Sequence, residues 1–149
     1  MNDIFRFQKK LLSSSGIFIL SFPEEYDYKD ISIYFDNKLI VYINCDTIRE
    51  PEELYQAINQ ALSSDITLCL DHVNRLVQKP FWKKISQLVW FMLDLEDYSH
   101  YSNGIMEFSR IKLLLACSEK EFNDSKLDTN LLQHALRKGA IKFNKQETN

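Results

Sequence analysis

Asp71-His72 is the one place in this sequence where a carboxylate and an imidazole stand together at the end of an apolar run, Ile66-Thr67-Leu68-Cys69-Leu70. A histidine oriented by a carboxylate is half of a general-base site, and the other half is a nucleophile held close to it in space. No Gly-x-Ser-x-Gly elbow supplies one. His72, His100 and His134 lack the i, i+4 spacing and the Cys and carboxylate neighbours that define a zinc site, so they read as solvated or locally hydrogen-bonded side chains. Cys45, Cys69 and Cys117 are odd in number, far apart, and lie in or at the end of β-type runs, which predicts buried reduced thiols. The expectation is a protein with no reaction, metal or cofactor of its own.

Binding chemistry is better represented. From Pro80 a long helix is predicted, with Phe81, Trp82, Ile85, Leu88, Val89, Met92, Leu93 and Leu95 on one broad apolar arc. Trp90 falls outside that arc. The same rotation places Trp90, Asp94 and Asp97 on a polar stripe, joined by Tyr101 if the helix runs that far. Either Trp90 packs under a loop beside solvated acids, or the stripe is a contact surface, since an exposed Trp among carboxylates suits a basic protein partner. A second patch of the same kind is Glu24-Glu25-Tyr26-Asp27-Tyr28, which follows a strand and is expected at the carboxyl edge of a sheet.

The elements that must position these residues alternate. Helical spacing from Ile4 to Leu12 gives way at Ser13-Ser14-Ser15-Gly16 to the strand-like Ile17-Phe18-Ile19-Leu20. Ile31 to Phe35 and Leu39 to Ile43, joined by Asp36-Asn37-Lys38, predict a hairpin. Pro51 as a first helical residue, acids around it, and the stripe Leu54, Ala57, Ile58, Ala61 and Leu62 predict a helix. Ile66 to Leu70 and Arg110 to Cys117 predict inner strands. Leu131, Leu132, Ala135 and Leu136 predict a last helix, capped at Gly139, before a final strand from Ala140 to Phe143. The fold class is therefore α/β, with a mainly parallel central sheet and helices on both faces. One domain over 1–144 and a flexible tail over 145–149 are expected.

The runs Ile66 to Asp71 and Ile111 to Ser118 resemble the metal-binding strand and the polar-tipped strand of a nucleotide-hydrolysing domain. A phosphate cradle needs clustered glycines and a Lys beside Ser or Thr, whereas Gly16, Gly104 and Gly139 stand alone. The resemblance implies a scaffold without its phosphate loop. A formal net charge of -3 over 149 residues, with an isoelectric point near 5.6, argues against a nucleic-acid surface and favours a basic protein partner. The first residues do not read as a secretory signal and no apolar run approaches bilayer length, so a cytoplasmic protein with no membrane contact is expected.

Val41-Tyr42-Ile43-Asn44-Cys45-Asp46-Thr47-Ile48, followed by Glu53-Leu54-Tyr55-Gln56-Ala57-Ile58 and Leu62, resembles the first strand and helix of barstar-like proteins. The resemblance implies a three-layer α/β fold and the work of a small acidic inhibitor that plugs the basic cleft of a nuclease, as bacterial toxin-immunity proteins also do. That family's aromatic-Gly-x-Asn stretch and Asp-Ala-Leu helix have no counterpart, because Leu62-Ser63-Ser64 runs straight into the next strand, so none of its binding residues carries over. The function expected is that of an immunity or antitoxin-type protein that binds and inhibits a cognate nuclease toxin through an acidic-aromatic surface; the alternative is a non-catalytic adaptor or assembly subunit on a degenerate nucleotide-binding domain without a phosphate loop.

Overall fold

Residues 16–34, 40–64, 66–93 and 112–144 are described by the computed structural model. Five strands build the centre: β1 (Gly16–Phe22), β2 (Ile40–Asn44), β3 (Thr67–Asp71), β4 (Lys112–Ser118) and β5 (Ile141–Asn144). They form one sheet in the order β2-β3-β4-β1-β5, and every neighbouring pair is parallel. β3 and β4 are buried through their middles, as their unbroken apolar runs require of strands covered on both faces.

Alternation along the strands separates two apolar layers. Ile17, Ile19, Val41, Leu68, Leu70, Leu113, Leu115 and Cys117 point to one face, where they meet three helices. These are α2 (Pro51–Ser64), through Leu54, Ala57, Ile58 and Ala61, α3 (Trp82–Leu93), through Ile85, Val89, Met92 and Leu93, and α5 (Leu131–Arg137), through Leu131, Leu132 and Ala135. Phe18, Leu20, Phe22, Cys69, Leu114 and Ala116 point to the other face, beneath Ile31 of α1 (Tyr28–Ser32) and Tyr34. Connections on both faces follow from right-handed crossovers: the step from β1 to β2 runs one way along the sheet, and all later steps run the other way. The three-layer α/β arrangement expected from the sequence is thus present, with β2, β3 and β4 parallel and adjacent.

Local structure departs from the sequence reading in two places. Phe35, Asp36, Asn37, Lys38 and Leu39 of the expected hairpin lie outside the described residues, and among those described its first arm is not a strand, because Asp27 and Asp30 form a capping box that starts α1 across Tyr28–Ser32. β2 pairs with β3 instead, and β4 and β3 stand between it and β1. Ahead of the long helix, Val73–Gln78 form a 3-10 helix, and α3 begins at Trp82 rather than Pro80. The last helix, with Asn130 as its N-cap, ends as expected near Gly139, whose φ is +109°. The predicted N-terminal helix, the continuation of α3 through Leu95, and the tail 145–149 lie outside the described residues. Among the described residues, no helix is long and apolar enough to cross a membrane.

Candidate functional site at the carboxyl edge of the sheet

In an open parallel sheet, ligands settle outside the carboxyl ends of the strands, where neighbouring connections leave towards opposite faces. Here that point lies between β1 and β4. The connection from β1 goes to the face of α1, and the one from β4 goes to the face of α5. In register, Asp71 at the end of β3 stands level with Ala116 of β4, which stands level with Leu20 of β1. The β1–α1 loop therefore begins beside Asp71, separated from it only by the end of β4.

Tyr26 spans that separation. Its hydroxyl donates to Asp71 Oδ1 at 2.5 Å, and its ring stacks on Phe22 at 4.5 Å and on His72 at 5.5 Å between centroids. The Tyr42 hydroxyl, from β2, donates to the other oxygen, Asp71 Oδ2. Asp71 is only 2% exposed. Burial raises its pKa, and the two tyrosine hydroxyls pull it back without cancelling that effect. Burial and the neighbouring carboxylate drive both tyrosines far upward, so each phenol keeps its proton and donates a hydrogen bond to Asp71.

His72 continues the network into α4 (Glu119–Phe122). Its Nδ1 lies 2.9 Å from Glu121 Oε2, and its Nε2 lies 3.6 Å from Asp71 Oδ1. The hydrogen bond to Glu121 is the first cause of a raised His72 pKa, opposed by burial and assisted by the charge of Asp71. Burial pushes Glu121 up, but the His72 contact and its bonds to Ser118 outweigh it and hold the carboxyl low. Glu121 is fixed because Ser118 and Glu121 form a capping box, with Ser118 N donating to Glu121 Oε1 and Glu121 N to Ser118 Oγ, each at 3.1 Å. His72 holds a left-handed backbone at φ 58°, unusual for a non-glycine residue and costly without neighbours that impose it.

Asn74, 4% exposed, joins the next segment. Its Oδ1 accepts from the N–H groups of Leu131 and Leu132 at 2.7 and 3.3 Å, and its Nδ2 donates to Asn130 Oδ1 at 3.0 Å. The start of α5 is thereby tied to the end of β3.

The residues named from the sequence divide between two places. Glu24, Glu25, Asp27 and Tyr28 lie at the sheet's carboxyl edge as expected, exposed on the β1–α1 loop and the first turn of α1, with Tyr28 edge-on to Tyr42 at 4.6 Å. Tyr26, expected to face a partner with them, turns inward. Trp90 is half-buried at the seam between α3 and α5, edge-on to Trp82 at 6.4 Å and to His134 at 4.7 Å. Asp94, Asp97 and Tyr101 lie outside the described residues. Asp71 and His72 belong together as their adjacency implied. Tyr42, Glu121 and Asn74 were not anticipated: Ser118-x-x-Glu121 was a readable capping signal, but nothing in the sequence marks the other two.

Two phenol donors are committed to one buried carboxylate. Asp71 and Glu121 sit on different nitrogens of the His72 ring, so the three do not converge on one point. Among the described residues, no group of three or more His, Cys, Asp or Glu is placed to hold a metal ion. Burial raises the thiols of Cys45 and Cys69, and pushes that of Cys117 up to about 12, away from the reactive thiolate. The chain matches no protein-family model, and no curated protein sequence matches it as a relative.

Proposed function

We propose that this protein is a non-catalytic binding domain, an adaptor or assembly subunit, on the scaffold of a nucleotide-binding domain that has replaced its phosphate loop with a tyrosine-bearing one. Tyr26 carries this reading. It fills the switch point with its own ring and engages the carboxylate at the position where a nucleotide-hydrolysing domain would hold its metal. The loop that a phosphate would have to approach is Pro23-Glu24-Glu25-Tyr26-Asp27, whose carboxylates repel anions and whose sequence has no glycine for close backbone approach. Calorimetric titration of the full chain with ATP and GTP, with and without magnesium, is expected to give no binding heat. Saturable micromolar binding with turnover would sink the reading.

A second reading, an immunity or antitoxin-type inhibitor of a basic nuclease toxin, draws on the exposed Glu24, Glu25 and Asp27 beside Tyr28 at the same edge. Carboxylates flanking an aromatic ring suit a cationic cleft and would speed association with it. The gene's neighbours separate the two: a toxin-like reading frame directly upstream favours the inhibitor, and a secretion or replication operon favours the adaptor. Either role places the protein in the cytoplasm with a protein partner, and capture of that partner by the tagged chain in its native host tests both.

A further inference from the structure

Asp71 is tied to both ends of one connection. The chain leaves β1, crosses one face of the sheet and returns as β2 three strand positions away. Tyr26 at the departure and Tyr42 at the return bond the two oxygens of the same carboxylate. The two ties are unequal in setting. Tyr42 sits within β2, held by the ladder to β3, in register with Cys69. Tyr26 sits on a loop whose neighbours Pro23, Glu24, Glu25 and Asp27 are all exposed.

We propose that residues 23–26 form a strap that opens locally by release of Tyr26, hinged at Asp27, whose capping box with Asp30 stays closed, and that its opening uncovers Asp71 and His72 as the floor of the binding edge. The inference rests on the reading of that edge as the binding site and supplies its regulation. Releasing Tyr26 gives up its hydrogen bond to Asp71, its ring contacts with Phe22 and His72 and its packing on the apolar layer of that face, and it leaves no strand without its ladder. Asp71 is not orphaned in the open state, because Tyr42 still donates to Oδ2, and Oδ1 becomes available to a partner's donor. His72 keeps Glu121 on its Nδ1 and exposes the ring face that Tyr26 had covered. Closed, the strap withholds Asp71 and one face of the His72 ring; open, it offers a carboxylate and a flat aromatic face side by side, and the exposed Glu24 and Glu25 move with it.

Native-state proteolysis of the full chain with a glutamate-specific protease tests this. A protease needs an extended stretch, so cleavage after Glu24 and Glu25 follows the open population. Tyr26→Phe removes the hydroxyl and keeps the ring. It should raise cleavage at these two sites about tenfold, the factor for losing roughly one hydrogen bond to a charged acceptor. Sites after Glu52 and Glu53 on α2 should stay within twofold of wild type. Modification of His72 by diethyl pyrocarbonate, located by mass spectrometry, should rise as well, by less than the cleavage because its side chain is already 28% exposed with the strap closed. Tyr42→Phe, which takes the other hydroxyl from the same carboxylate, should leave Glu24 and Glu25 cleavage within twofold. Unchanged strap cleavage in Tyr26→Phe, equal acceleration at all sites, an equal effect of Tyr42→Phe, or faster cleavage without faster His72 modification would each overturn the strap. No partner enters these measurements, so they stand or fall apart from the adaptor reading.

Discussion

Replacing Asn74 by Ala removes the acceptor that serves two N–H groups at the start of α5. Leu131 and Leu132 occupy the first turn, where backbone donors have no partner within the helix, and both residues are fully buried. A buried donor left unsatisfied costs about 1–3 kcal/mol. The Leu131 bond at 2.7 Å counts in full, and the longer Leu132 bond at 3.3 Å counts for less. Asn130 loses one donor but keeps its own bonds to Phe122 O and Gln133 N, so its share is small. The sum is about 2–4 kcal/mol, a large fraction of a typical domain's stability. Urea denaturation should show it as a lower midpoint at unchanged slope. Because α5, α4 and the end of β3 share the bond network, the double variant with Asn130→Ala should fall short of additivity by about 0.5 kcal/mol or more. A loss under about 0.5 kcal/mol for Asn74→Ala would mean that water or a shift of α5 satisfies the two amides, and that Asn74 does not tie these segments together.

The pH dependence of stability has a defined sign. His72 is raised above 6.5, so its stabilisation is complete below that pH and is lost as pH rises through the raised value, whereas Glu121, lowered from 4.5, contributes above 4.5 and loses its contribution as pH falls. Asp71, raised from 3.8, favours the protonated fold and offsets part of the acid slope. Thermal unfolding should be most favourable to the fold between those ranges, and His72→Gln should flatten the alkaline side; a slope that survives the substitution places the titration elsewhere. Trp90→Ala removes two edge-on aromatic contacts and half-buried area, at about 2–3 kcal/mol in denaturant unfolding; unchanged stability together with loss of a captured partner would instead make Trp90 an interface anchor. Gly139→Ala meets no atom within 4 Å of the new Cβ, so its cost is the strain of φ +109° alone, about 1 kcal/mol, and a neutral or stabilising result in the same assay would show that the turn relaxes freely.

Sequence alone determined the parts of this protein that depend on local chemistry and on periodicity. Unbroken apolar runs marked β3 and β4 as inner strands, because a strand covered on both faces has no polar side to show. Pro51 with its flanking acids and apolar stripe marked α2, and Gly139 marked the end of α5. Gly16, Gly104 and Gly139 stand alone, so no glycine-rich phosphate loop is legible in the sequence. At Asp27-x-x-Asp30 a local capping signal is present, but the β-branched and aromatic residues after it favour a strand from Ile31, whereas the chain forms a short helix over Tyr28–Ser32.

The site was decided by tertiary structure. Tyr26, Tyr42, Asp71 and Glu121 follow one another at intervals of 16 to 50 positions, and they meet because the crossover from β1 to β2 carries its two ends around a sheet in which β3 and β4 lie between them. Side-chain periodicity says which face a residue takes, but not which strands are neighbours. Whether a tyrosine in an acidic loop turns out to solvent or inward onto a carboxylate depends on what the next strand end offers. Here it offers Asp71, buried and already bonded by Tyr42, beside a His72 ring on which Tyr26 can stack.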